Sequence, residues 1–188
     1  VAWSQDGGLL YAGGTYWDGS SRPILSFRQA GQGSYRAWSA SSNTVMDIRA
    51  LRYGEIVFGT YDPTFGLFDA NGHKTLSREA GIADFRDNYD GFLVSRDGST
   101  VQFGYKQWGK RPARFSVNER TLTLNPVSQA NLTAPRTQAS GLNITDWNNT
   151  THPKLNGKAL SLEQYETAFS IAIAPDSQHF LLGTHFYL

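Results

Sequence analysis

The chain has 188 residues, 39% hydrophobic and 13% aromatic, enough apolar material for a real core. Lys and Arg number 17 against 16 Asp and Glu, and the net charge of +1 gives no basic footprint for duplex nucleic acid and no acidic tail. There is no cysteine, which removes disulfides, thiolate nucleophiles and Cys-type zinc sites and leaves the compartment open.

Charged residues make up 18%, against about 25% in an ordinary globular domain, and the 19 glycines and seven prolines point to many short elements and turns. No apolar run reaches the roughly 18 residues of a membrane helix. Val1-Ala2-Trp3-Ser4 already reads as strand and Phe186-Tyr187-Leu188 ends in an apolar run, so the expectation is a piece of a longer protein.

Along the chain one pattern recurs: an apolar stretch, a turn, a second apolar stretch, then Gly and a polar or aromatic residue. The copies are VAWSQDGGLLYAGGTY from Val1, VMDIRALRYGEIVFGTY from Val45, FLVSRDGSTVQFGY from Phe92 and IAIAPDSQHFLLGTH from Ile171. Gly14, Gly59, Gly104 and Gly183 are spaced by 45, 45 and 79 residues. A period near 45 with one insertion of about 34 fits propeller blades, and the helical apolar period is missing.

Asp6-Gly7 and Asp97-Gly98 supply hairpin turns, with Tyr53-Gly54 and Asp176-Ser177 in the same place. Third strands are predicted at Pro23 to Phe27, Phe65 to Asp69 and Ala113 to Val117, and fourth strands at Ser34 to Trp38, Lys74 to Ser77 and Thr121 to Asn125. Four short strands per repeat make an all-β propeller of four-stranded antiparallel blades. About three and a half blades are expected, at about 1–43, 44–82 and 83–125, with an incomplete one at 169–188. Residues 126–168 read as an inserted loop with a hairpin at Asn156-Gly157. Such a partial ring leaves open edges, which further chain or a second polypeptide would close.

SQDGG, APDS and GLFDANGHKTL resemble WD-repeat blades, a family in which a PDG-type turn joins strands one and two and Trp-Asp closes strand three. Phe68-Asp69 stands at the Trp-Asp position, while the other repeats depart with Phe27-Arg28 and Val117-Asn118. Ser4 to Tyr11 also resembles the S-x-D-x-G-x-x-W box of sialidase-like propellers, but lies between strands one and two instead of three and four. More narrowly, NTVMDIRAL, FGTYDPTFGLFD, APRTQASGLNITDW, HPKLNGKALSLEQYE and PDSQHFLLGT resemble the propeller of bacterial caspase-like, metacaspase-type proteins. The resemblance implies an accessory propeller, with any Cys/His protease outside these residues.

Chemistry-bearing motifs are sparse. His73, His152, His179 and His185 show no metal-ligand spacing. Asp84, Asp87 and Asp90 recur every third residue, unlike the alternate oxygens of a calcium loop. There is no G-x-S-x-G elbow and no phosphate cradle before a helix. Lys106, Lys110, Arg111 and Arg114 around Trp108 read as a solvated loop more than a single-strand nucleic-acid site. The sequons at Asn131, Asn143, Asn148 and Asn149 matter only in a glycosylating host.

The loops after the second strands each carry aromatics and emerge on one face. The candidate partner-binding set is Tyr16, Trp17, Asp18, Tyr61, Asp62, Tyr105, Trp108, Lys110 and Arg111. The reading is a non-catalytic protein- or peptide-binding scaffold with no cofactor, metal, nucleic acid or membrane. The alternative is a glycan-binding or hydrolytic propeller using Trp17-Asp18 and Trp147-Asn148.

Overall fold

The computed structural model describes residues 1–79, 92–103, 112–124, 132–133 and 138–185. Among them the regular structure is β-strand with two single-turn 3-10 segments. The first sheet holds β1 (Ala2–Trp3), β2 (Leu9–Ala12), β3 (Arg22–Arg28) and β4 (Tyr35–Ser41). The second holds β5 (Val45–Ala50), β6 (Ile56–Thr60), β7 (Thr64–Phe68) and β8 (Lys74–Glu79). The third holds β9 (Phe92–Ser95), β10 (Thr100–Phe103), β11 (Ala113–Ser116) and β12 (Thr121–Leu124). Each is an antiparallel meander in chain order, the blade unit of a β-propeller.

The region expected as an inserted loop is richer than a single hairpin. The hairpin at Asn156-Gly157 is there, with both residues at positive φ, but it belongs to a fourth sheet. That sheet runs β14 (Gln138–Ala139), β15 (Leu142–Thr145), β16 (Lys154–Leu155) and β17 (Lys158–Ala159), again in meander order. Its strands span two to four residues and lack the Asp-Gly turn and Gly anchor of the other repeats, which is why spacing passes over it. The fifth sheet pairs β18 (Ala168–Ile173) with β19 (Phe180–Thr184).

Period-two alternation places the core on both faces of the second sheet. Val57, Phe65 and Leu67 turn toward the third sheet, where they meet Phe92, Phe103 and Phe115. The Phe65 ring lies 4.7 Å from Phe103 and 5.0 Å from Phe115. Ile56, Phe58 and Phe68 turn the other way, onto Tyr11, Ile24 and Trp38 of the first sheet. Trp38 stands 5.4 Å from Phe68 and 5.5 Å from Tyr11. Each such side chain contributes roughly 1.5–3 kcal/mol by leaving water. Gly66 allows this packing, because a Cβ there would sit 2.4 Å from the Phe58 ring.

The fifth sheet packs on the fourth through Ile144, Trp147 and Ile171. It also reaches the first sheet. The Trp3 indole Nε1 donates to the Ala172 carbonyl at 3.3 Å, and Gly7 lies over Pro175. This repeats the seam between the second and third sheets, where Gly98 lies over Leu51 and Arg52. In both seams the first turn of one sheet caps the first turn of its neighbour. The open end expected beside β1 is therefore occupied by β18.

Candidate functional site

An edge strand carries backbone N–H and C=O groups that need partners. Three of the first strands, β9, β18 and β5, meet this need in different ways. On β9, the strand β13 (Leu132–Thr133) adds to the free edge, Leu132 opposite Ser95 and Thr133 opposite Val94. On β18, Thr150 and Ala168 exchange hydrogen bonds of 2.7 and 3.3 Å, and Ala172 accepts from Trp3.

On β5 the edge is closed by its own side chains. The Ile48 N–H donates to Asp47 Oδ1 at 2.8 Å, and Arg49 Nη1 donates to the Ile48 carbonyl at 3.0 Å. Arg49 Nη1 also donates to Asp47 Oδ1 and closes the clamp. Burial pushes the Asp47 carboxyl up from its ordinary range, opposed by the charge of Arg49.

β5 and β18, with the β2–β3 and β15–β16 loops and the end of β19, line a cavity of ≈ 610 Å³ that is open to solvent. Gly13 to Thr15, Thr44 to Arg49, Trp147 to Asn149 and Gly183 to His185 line it. Gly13 to Thr15 open the β2–β3 loop and Thr44 immediately precedes β5, so the mouth lies on the face where the second-to-third-strand loops emerge.

The aromatics singled out in the sequence stand on this face and in water. Tyr16 is 57% exposed, Trp17 47% and Tyr61 52%. The Arg22 guanidinium lies 5.5 Å from the Trp17 ring centre. The two acids have local work. Asp18 accepts from the Ser20 and Ser21 N–H groups, each at 2.8 Å, and those bonds hold its carboxyl below the usual range. Asp62 accepts from Thr60 and, at 3.1 Å, from the Thr64 hydroxyl, which fixes the β6–β7 turn. Tyr105, Trp108, Lys110 and Arg111 lie outside the described residues, as do Asp84, Asp87 and Asp90.

Asp47 and Arg49 were missed by motif reading. Their signal is an acid and a base two residues apart in a first strand, a spacing that puts both on one side of the backbone. Asp69, at the Trp-Asp position, accepts from the Asn71 and His73 N–H groups at 2.9 and 2.8 Å and so ties the β7–β8 turn. Among the described residues no group of three His, Cys, Asp or Glu side chains is placed to hold a metal, and no helix is long and apolar enough to cross a membrane.

No family model and no curated protein matches the chain. Among solved structures it is similar to dihydro-heme d1 dehydrogenase NirN in complex with DHE, at 11% identity and a TM-score of 0.45. The match covers 96% of this chain and 51% of that one, so the chain spans about half that protein's length.

Proposed function

We propose that this chain is a non-catalytic recognition module that binds a protein or peptide segment on the face carrying the β2–β3 and β6–β7 loops. The observation that carries the reading is the exposure of Tyr16, Trp17 and Tyr61 on adjacent sheets, beside the mouth of the cavity. Rigid aromatics held on tied loops lose little conformational freedom on contact, and such side chains anchor interfaces. Asp18 and Asp62 supply the ties, so the presentation is built into the loops. The WD-like turn pattern and the likeness to caspase-associated propellers make a regulatory segment of a larger bacterial protein the natural setting.

A glycan platform at Trp17-Asp18 or Trp147-Asn148 has less support. Asp18 spends its carboxylate on its own loop, and Trp147 is 8% exposed within the core between the fourth and fifth sheets.

The test is a pooled octapeptide panel bound to the protein and to Trp17→Ala and Tyr61→Ala. Loss of peptide binding of about tenfold with an unchanged thermal midpoint supports the module. Unchanged binding in both variants, or no binding by any pool, overturns it.

A further inference from the structure

The fifth sheet differs from the first three at its second strand. FLLGT of β19 aligns with IVFGT of β6 on the anchor glycines Gly183 and Gly59. Both carry apolar side chains on successive residues, the composition of an interior strand covered on both faces. β6 lies between β5 and β7, and Ile56, Val57 and Phe58 are at most 2% exposed. Among the described residues β19 pairs with β18 alone, and Phe180, Leu181 and Leu182 are half-buried.

The phase of the ladder identifies the open groups. The Ala174 N–H donates to the His179 carbonyl at 2.9 Å, and bonded pairs recur at every second residue. Leu181 therefore turns its N–H and C=O toward β18, and Phe180 and Leu182 turn theirs to the other edge. The second sheet has the same phase. Leu51 donates to the Glu55 carbonyl at 2.8 Å, and Ile56 and Phe58 stand opposite Phe68 and Gly66 of β7. No described strand stands opposite Phe180 and Leu182 in this way. Both side chains also border the cluster of Ile144, Trp147 and Ile171, so a strand added beside them meets apolar surface as well as hydrogen-bonding groups.

We propose that the open edge of β19 is a strand-acceptor site, which takes an extended segment of a partner polypeptide as an antiparallel third strand. The segment has the chemistry of β3, β7 and β11. It is four to seven residues long and carries large apolar side chains at alternate positions, as β7 carries Phe65 and Leu67. A folded second copy has no such segment to give, because its third strands are paired on both edges. Its outer strand β8 is Lys-Thr-Leu-Ser-Arg-Glu, with five of six residues exposed. The site works through backbone groups and does not depend on the aromatic loops.

The probe is the acetylated and amidated peptide Thr-Phe-Gly-Leu-Phe-Asp, the sequence of Thr64 to Asp69. Amide hydrogen exchange is read by NMR at Phe180, Leu181 and Leu182. In the protein alone Phe180 and Leu182 are expected to exchange fast and Leu181 slowly. Peptide at ten times its Kd is expected to slow Phe180 and Leu182 about tenfold and to leave Leu181 unchanged. N-methylation of the peptide at the positions of Gly66 and Phe68, whose N–H groups face β6 in the second sheet, is expected to abolish the slowing. N-methylation at the positions of Phe65 and Leu67 is expected to keep it. Slow exchange of Phe180 and Leu182 in the protein alone overturns the proposal, and its loss on dilution identifies a second copy as the cover. No slowing by the peptide, or the same slowing by both methylated forms, also overturns it. Each of these failures leaves the aromatic-face reading standing.

Discussion

The seam between the second and third sheets and the seam between the fifth and first share one geometry and differ in what fills it. In both, a glycine of one first turn lies over the first turn of the neighbouring sheet: Gly98 over Leu51 and Arg52, Gly7 over Pro175. Behind Gly98 stands a cluster of eleven buried residues centred on Phe65, Phe92, Phe103 and Phe115. Behind Gly7 the Trp3 indole donates to the Ala172 carbonyl. The first and second, the second and third, and the fourth and fifth sheets are joined by apolar clusters, whereas the contact between the fifth and first rests on a turn cap and a side-chain hydrogen bond. The difference teaches that the turn geometry sets where sheets meet and the aromatic filling sets how strongly.

The comparison breaks most visibly at Phe65. Phe65→Ala empties the middle of the second seam and is expected to cost about 4 kcal/mol in chemical denaturation. Next comes Gly98→Ala, roughly 3 kcal/mol, because φ is +68° and the new Cβ would stand 2.6 Å from the Arg52 backbone nitrogen. Gly7→Ala sharpens the contrast. Its φ is +74° but the nearest Pro175 atom is 3.4 Å away, so about 1 kcal/mol is expected from the backbone alone. Trp3→Phe keeps an aromatic ring but removes the bond to Ala172 and part of the indole's contact, for about 1 kcal/mol.

The smallest effect is one of pH. Asp97 accepts from the Ser95 and Ser99 hydroxyls and the Ser99 N–H, and its carboxyl is held down to about 2. The same turn at Asp6 accepts from Ser4 and Gly8 and is also lowered. A carboxylate whose folded value lies below its unfolded value stabilises fully above roughly pH 4 and fades as the pH falls toward 2. Thermal midpoints of Asp97→Asn and Asp6→Asn should therefore converge on the parent protein at pH 2 and fall below it at pH 6, more for Asp97.

The strands, the first turns and the propeller class were legible because period-two alternation and Asp-Gly pairs act locally. Ile56-Val57-Phe58 reads as a strand buried on both faces, and it is one. The fourth sheet was not legible, since β14, β16 and β17 have two residues each and carry no alternation to read. The common face of Tyr16, Trp17 and Tyr61 followed from their place after a second strand, but their exposure did not, since aromatics there can equally pack between neighbouring blades. The role of Asp18 as a loop tie depends on bonds within two or three residues that many Asp-Gly-Ser turns would make equally. The Asp47–Arg49 clamp was hidden for another reason. It matters only because β5 is an edge strand facing a cavity, and that is a property of the ring, not of the residues in it.

The contact between the fifth and first sheets is tested most directly by distance. The chain has no cysteine, so single spin-label pairs can be placed cleanly. One pair, at Tyr53 and Arg96, spans the first turns of the second and third sheets; the other, at Gln178 and Gln5, spans those of the fifth and first. All four positions are exposed. Matching seams predict the same short, narrow distance distribution for both pairs. A short distance for Tyr53–Arg96 with a long or broad one for Gln178–Gln5 would contradict it.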